Sequence, residues 1–280
     1  MSHGAFALLA LAIAAVWLPP LHVREHAWPL WPLAFAAALA VALAGGVVHG
    51  TALPALAAFA VVTWAAVAAP WGRTLFVALS GLLAVALSIH VLPGFDNPKV
   101  FDAERLTPDA LPFTQYLNFD KGTAGLFLLA AFAPRVRRWR ETAELASPVA
   151  LAATVTTTAV LGLALALGLV HAAPHWHPLA PAFLAINLLF TCVAEEAFFR
   201  GLLQRRLPGP RPLAVAVSAA LFGLVHLPAG VTYAALATVL GLGCALVFER
   251  TRRIESAIAV HFTVNAVHFV GFTYPMLASA

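Results

Sequence analysis

The sequence predicts an all-α fold, a polytopic transmembrane helical bundle of about ten spans. Three observations carry that expectation. Of 280 residues, 62% are hydrophobic and only 10% are charged, whereas a soluble domain is about 25% charged and about half apolar. Mean hydropathy is +0.90, so the chain can neither cover a soluble surface nor stay solvated as a disordered one. Finally, the apolar residues fall into long runs punctuated at their ends by proline and glycine, as in Leu18-Pro-Pro20 and Leu227-Pro-Ala-Gly230.

A spanning helix needs about 20 apolar residues, because each adds about 1.5 Å of rise across about 30 Å of hydrocarbon. The runs that approach this length are 4–20, 29–48, 51–70, 73–92, 121–134, 148–172, 179–206, 213–228, 231–249 and 254–278. The first has no basic stretch before it, so it reads as a span and not a signal peptide. The fifth and eighth are short and call for tilt or extension by neighbouring residues. Between the fourth and fifth lies the longest polar stretch, 93–120, opening Pro93-Gly-Phe-Asp-Asn-Pro98 and closing Tyr116-Leu-Asn-Phe-Asp-Lys121. It divides an N-terminal four-helix membrane extension, 1–92, from a C-terminal domain, 121–280. A polar loop of this length is functional or a solvated connector.

Charge sets the orientation. Arg24, Arg73, Arg135, Arg137, Arg138, Arg140, Arg205, Arg206, Arg211, Arg250, Arg252 and Arg253 fall on one side of a ten-span arrangement, and only Lys99, Arg105 and Lys121 on the other. The arginine clusters are therefore expected in the cytoplasm and loop 93–120 outside. Net charge is +4, but no basic face interleaved with aromatics is present, which argues against nucleic acid. Cys192 and Cys244 sit in apolar runs with no redox or metal spacing and read as small buried hydrophobes.

Ionisable groups inside a span cost about 2.5–3.5 kcal/mol each on insertion scales, so they mark function. The C-terminal runs hold nearly all of them. One contains Glu195, Glu196 and Arg200, the next ends Phe222-x-x-x-His226, and the last carries His261, Asn265 and His268. Glu196 and Arg200, four apart, can pair within a helix. Glu195 is rotated about 100° away and is left to face a separate cavity. Counting about 1.5 Å per residue from the arginine clusters puts Glu195, His226 and His261 about 16, 22 and 12 Å deep, within reach of one buried site. His268 reads as structural. His171, His175 and His177 match no zinc template.

These three motifs, in this order on successive apolar segments, resemble the CAAX-processing and bacteriocin-processing (CPBP, Abi) family of intramembrane endopeptidases, related to the prenyl-protein proteases. The resemblance covers about 145–275 and no motif position departs from it. The segments around Pro93-Gly-Phe and Tyr116–Lys121 look like an extension found in some bacterial members. The resemblance implies a membrane-embedded CAAX protease-like hydrolase acting on a peptide or membrane-anchored protein, with membrane lipid around it, in a bacterial inner (plasma) membrane. It implies that Glu195 and His226 activate water, that His261 and Asn265 stabilise the oxyanion, and that Glu196, Arg200 and Phe222 support them. No cofactor is favoured, and the metal-dependent alternative would bind zinc through Glu195, His226 and His261. Two other readings stay open at this point: a proton- or ion-coupled transporter, and a non-catalytic immunity or scaffold member of the same family.

Overall fold

The computed structural model describes residues 2–278. Every apolar run contains a helix: α1 Ser2–Ala15, α2 Trp31–Ala44, α3 Leu53–Ala68, α4 Arg73–Ser88, α5 Phe119–Phe132, α6 Trp139–Ala166, α7 Ala180–Gln204, α8 Arg211–Leu224, α9 Val231–Thr251 and α10 Ile254–Gly271. Strands are minor. β1 (Leu21–Val23) pairs antiparallel with β2 (His26–Trp28), with Leu21 opposite Trp28, and β3 (Lys99–Glu104) pairs with β4 (Phe113–Tyr116). Prolines sit in the first turns of α2, α3, α7 and α8, where the missing N–H removes a donor that had no partner anyway.

Several helices, α1, α2, α4 and α10 among them, are shorter than the apolar runs they fall in. Four are long and apolar enough to cross a membrane: 50–68, 140–166, 180–204 and 231–251. Four more apolar helices, α1, α2, α4 and α8, have only 10–17 residues, so length alone does not reach the count of ten crossings. The difference is physical. Apolar residues at the ends of a run build turns, as where Val16, Trp17 and Leu18 donate back to the carbonyls of Ile13, Ala14 and Ala15.

The chain divides into two compact units. The first comprises 1–98, 116–133 and 189–198; the second comprises 99–115, 134–188 and 199–280. In the first, α5 is the buried helix, with Phe119, Leu126, Leu128 and Leu129 almost fully enclosed. Two glycines let it approach α7 closely. A Cβ on Gly122 would lie 2.7 Å from the Phe190 ring, and one on Gly125 would lie 2.8 Å from the Ala194 Cα. Small residues at such a seam permit backbone-close packing where water cannot drive association.

In the second unit α6, α8, α9 and α10 pack on one another. Phe183 stacks on Phe269 with ring centroids 3.7 Å apart, and both join Phe101 and Ala180 in a buried cluster. Gly223 marks the closest approach of α8 to α9. A Cβ there would sit 1.8 Å from Thr238 Oγ1 and 2.7 Å from the Ala234 carbonyl oxygen. Gly223→Ala is therefore expected to destabilise the protein by about 1–3 kcal/mol, the usual cost of overpacking. A thermal melt in detergent checks this, and an unchanged midpoint would mean the two helices are not packed this tightly.

Candidate active site

Helix α7 carries the first motif and is not a uniform α-helix. It winds with i→i+5 hydrogen bonding over Asn187–Cys192 and again over Ala197–Gln204, with regular α geometry only at Val193–Glu196 between them. Such π segments are rare and recur at functional sites. Regular 3.6-residue winding is thus confined, within this motif, to Val193–Glu196. Cys192 and Cys244 are buried free thiols.

In the first unit Glu196 is fully buried, and Glu195 has a partner that helical spacing does not reveal. Lys121 Nζ lies 2.8 Å from Glu195 Oε1, with both side chains mostly enclosed, at 19% and 17% exposure. Within its own helix, spacing gives Glu195 no cation; the partner comes from α5, 74 residues earlier. The start of α5 is itself held by polar contacts. Asp120, 1% exposed, accepts hydrogen bonds from His90 Nδ1 at 2.6 Å and from Asn97 Nδ2 at 3.1 Å. Asn97 Oδ1 in turn accepts the Phe119 N–H at 2.8 Å, capping the helix from outside it.

In the second unit Phe222 is the centre of the arrangement. Its ring is fully buried, 4.8 Å from the His226 ring, 5.5 Å from the His261 ring and 5.0 Å from Phe199. The Arg200 guanidinium stands 5.0 Å over it, in cation–π range, and donates to the Gly241 carbonyl of α9. His226 lies just past the end of α8, where the last carbonyls have no partner within the helix. Its Nδ1 is 2.7 Å from the Phe222 carbonyl. A carbonyl only accepts, so Nδ1 carries the proton, and in the neutral ring Nε2 keeps a lone pair.

His261, 3% exposed, and Asn265 lie one turn apart on α10. Asn265 Nδ2 donates to Asn187 Oδ1 at 3.2 Å, which orients the carboxamide. Sequence reasoning missed Asn187 and Lys121. Asn187 precedes the carboxylates on the same helix as a lone carboxamide in an apolar run, and that was its only signal. His268 Nε2 donates to the Thr273 carbonyl at 3.2 Å.

Two further histidines tie loops together. His171 pairs with Asp109, and His177 Nε2 lies 3.5 Å from Glu104. The bond to His171 holds the Asp109 carboxyl below its ordinary 3.8, and the bond to Asp109 holds the His171 imidazole above its ordinary 6.5. His171 thus tethers fully below pH 6.5 and lets go as pH rises through its raised value. Asp109 tethers fully above pH 3.8 and lets go as pH falls through its lowered value. Protease nicking of segment 99–115 is expected to quicken on the alkaline side of this window, and His171→Gln should flatten the pH dependence.

Among the described residues, no group of three or more His, Cys, Asp or Glu side chains gathers that could hold a metal ion. What the structure provides is a helical integral membrane protein whose apolar helices carry buried carboxylates, imidazoles and a carboxamide, the equipment of hydrolytic chemistry. Residues 177–267 match the family model described as Type II CAAX prenyl endopeptidase Rce1-like. The match includes Glu195, Glu196, Arg200, Phe222, His226, His261 and Asn265 and bears out the resemblance drawn from the motifs. Comparison with curated proteins and with solved structures finds no match.

Proposed function

We propose that this protein is an intramembrane endopeptidase that hydrolyses a peptide bond of a membrane-associated protein or peptide, in a bacterial inner membrane, with water activated by Glu195 and His226. One observation supports this most: the family match at 177–267 coincides with three polar motifs, on α7, at the end of α8 and on α10. Glu195 takes a proton as the water oxygen attacks the scissile carbonyl carbon, and His226 Nε2 accepts a hydrogen bond from the same water. His261 and Asn265, one helical turn apart, donate to the oxygen that becomes an anion. Collapse breaks the C–N bond, and the proton passes to the leaving amine. Glu196 and Arg200 hold α7 in place, and Phe222 spaces the two imidazoles.

The test compares the termini of membrane polypeptides from cells carrying the native chain and Glu195→Ala. New C-termini next to or within apolar segments, present only with the native chain, are the expected result. Identical terminus profiles would remove the peptidase reading and leave a transporter or a non-catalytic family member.

A further inference from the structure

We propose that Lys121 is a positioning residue for Glu195, and that His90, Asn97 and Asp120, outside the family match, hold the start of α5 so that it can act as one. This rests on Glu195 being the base, as proposed above. The two polar motifs that the endopeptidase reading leaves unused, Pro93–Pro98 and Tyr116–Lys121, meet at the start of α5. Asn97 caps the helix through the Phe119 N–H and also donates to Asp120. Asp120 additionally accepts from the Lys121 N–H at 2.9 Å and from His90. His90 itself stands in the left-handed region at φ 60°. A non-glycine residue holds that backbone only when its surroundings fix it, and such residues gather at functional sites. Its bond to Asp120 is one such constraint.

On α5, Lys121 and Gly125 are four apart and Gly122 and Gly125 three apart, so Gly125 neighbours both. The glycines bring the α5 backbone against Phe190 and Ala194, the latter directly preceding Glu195 in the chain. Close approach and cap together set where the ammonium lands, 2.8 Å from one carboxylate oxygen. A lysine held this way fixes the rotamer of the carboxylate and acts through it, since a carboxylate misplaced by about 1 Å can lose about 10²-fold in rate. The family match begins at residue 177, so the matched segment by itself lacks this hold. We infer that the N-terminal part is required for turnover, beyond its part in membrane anchoring.

The contact is tested on the full-length protein in lipid vesicles with a zero-length carbodiimide, which joins an amine to a carboxylate only when the two touch. Mass spectrometry should find the Lys121–Glu195 amide in the native chain and not in Lys121→Arg or Glu195→Gln. Function is read in cells as the yield of the new C-termini, at equal folded protein. Lys121→Met is expected to lower that yield by about 10²-fold, and Lys121→Arg, which keeps the charge, to restore most of it. Asn97→Ala, which loosens the cap without touching Glu195, should fall between them. Absence of the cross-link, full yield from Lys121→Met, or no rescue by Lys121→Arg at equal folded protein would overturn the proposal. Full yield from Glu195→Gln, with the cross-link present in the native chain, would instead refute the role given to Glu195, so the two failures are distinguishable.

Discussion

Glu195→Gln is expected to reduce cleavage by about 10²–10⁴-fold, the range over which a positioned general base contributes, while the folded yield stays near that of the native chain. The carboxamide matches the carboxylate in size and still offers an oxygen to Lys121 Nζ, which now stands 2.8 Å from Oε1. Packing against Gly125 through Ala194 is untouched. What is lost is the ability to accept a proton from water, because an amide oxygen is far too weak a base. The measurement is the yield of new C-termini per folded molecule, the latter read by size-exclusion chromatography and thermal melting. Native-level cleavage by this variant would remove Glu195 from the chemistry. Loss of folded protein in step with cleavage would make it a structural residue.

The largest effect on stability is expected at Arg200, which is fully enclosed. Arg200→Ala removes a charged donor from the Gly241 carbonyl of α9 and the guanidinium from between the Phe199 and Phe222 rings. A hydrogen bond to a charged group is worth about 1.5–3 kcal/mol, and removing one member of a buried charged set costs about 3–5 kcal/mol. An overall loss of about 3–5 kcal/mol is therefore expected, seen as a large drop in folded yield and melting midpoint. Arg200→Lys keeps the charge but loses the planar fork that both donates and stacks, so it should recover only part. Since Phe222 touches both His226 and His261, surviving Arg200→Ala protein should also cleave poorly. A midpoint equal to that of the native chain would contradict this account of the buried guanidinium.

Much of this molecule is legible along the chain. The ten apolar runs are helical because composition and length decide helix in so apolar a sequence. Phe222, His226, His261 and Asn265 could be singled out because polar groups are conspicuous there and their four-residue spacings are local. Helix length was less legible: hydropathy does not tell helix from turn, so Val16–Leu18 extend the first run without extending α1. The π winding of α7 left no mark in residue spacing. The partners of Glu195 and Asn265 were hidden for another reason. Lys121 and Asn187 are 74 and 78 residues away from them, and periodicity reports only neighbours within a few turns. Lys121 did have a signal, as a lone cation opening an apolar run, but its pairing is a property of tertiary packing at Gly122 and Gly125.

The central claim is that the chain's own carboxylate and imidazoles activate the water, and chelation tests it most directly. Purified protein in lipid vesicles is stripped exhaustively with a chelator, its metal content is measured, and its turnover is assayed on a peptide found by the terminus comparison. Asn265 is a poor zinc ligand beside His, Cys or carboxylate, and its place one turn from His261 suits a pair of oxyanion donors. Full turnover with no stoichiometric metal is the predicted result. Loss of turnover that zinc alone restores would contradict it, and would make Glu195, His226 and His261 ligands of a metal-bound water.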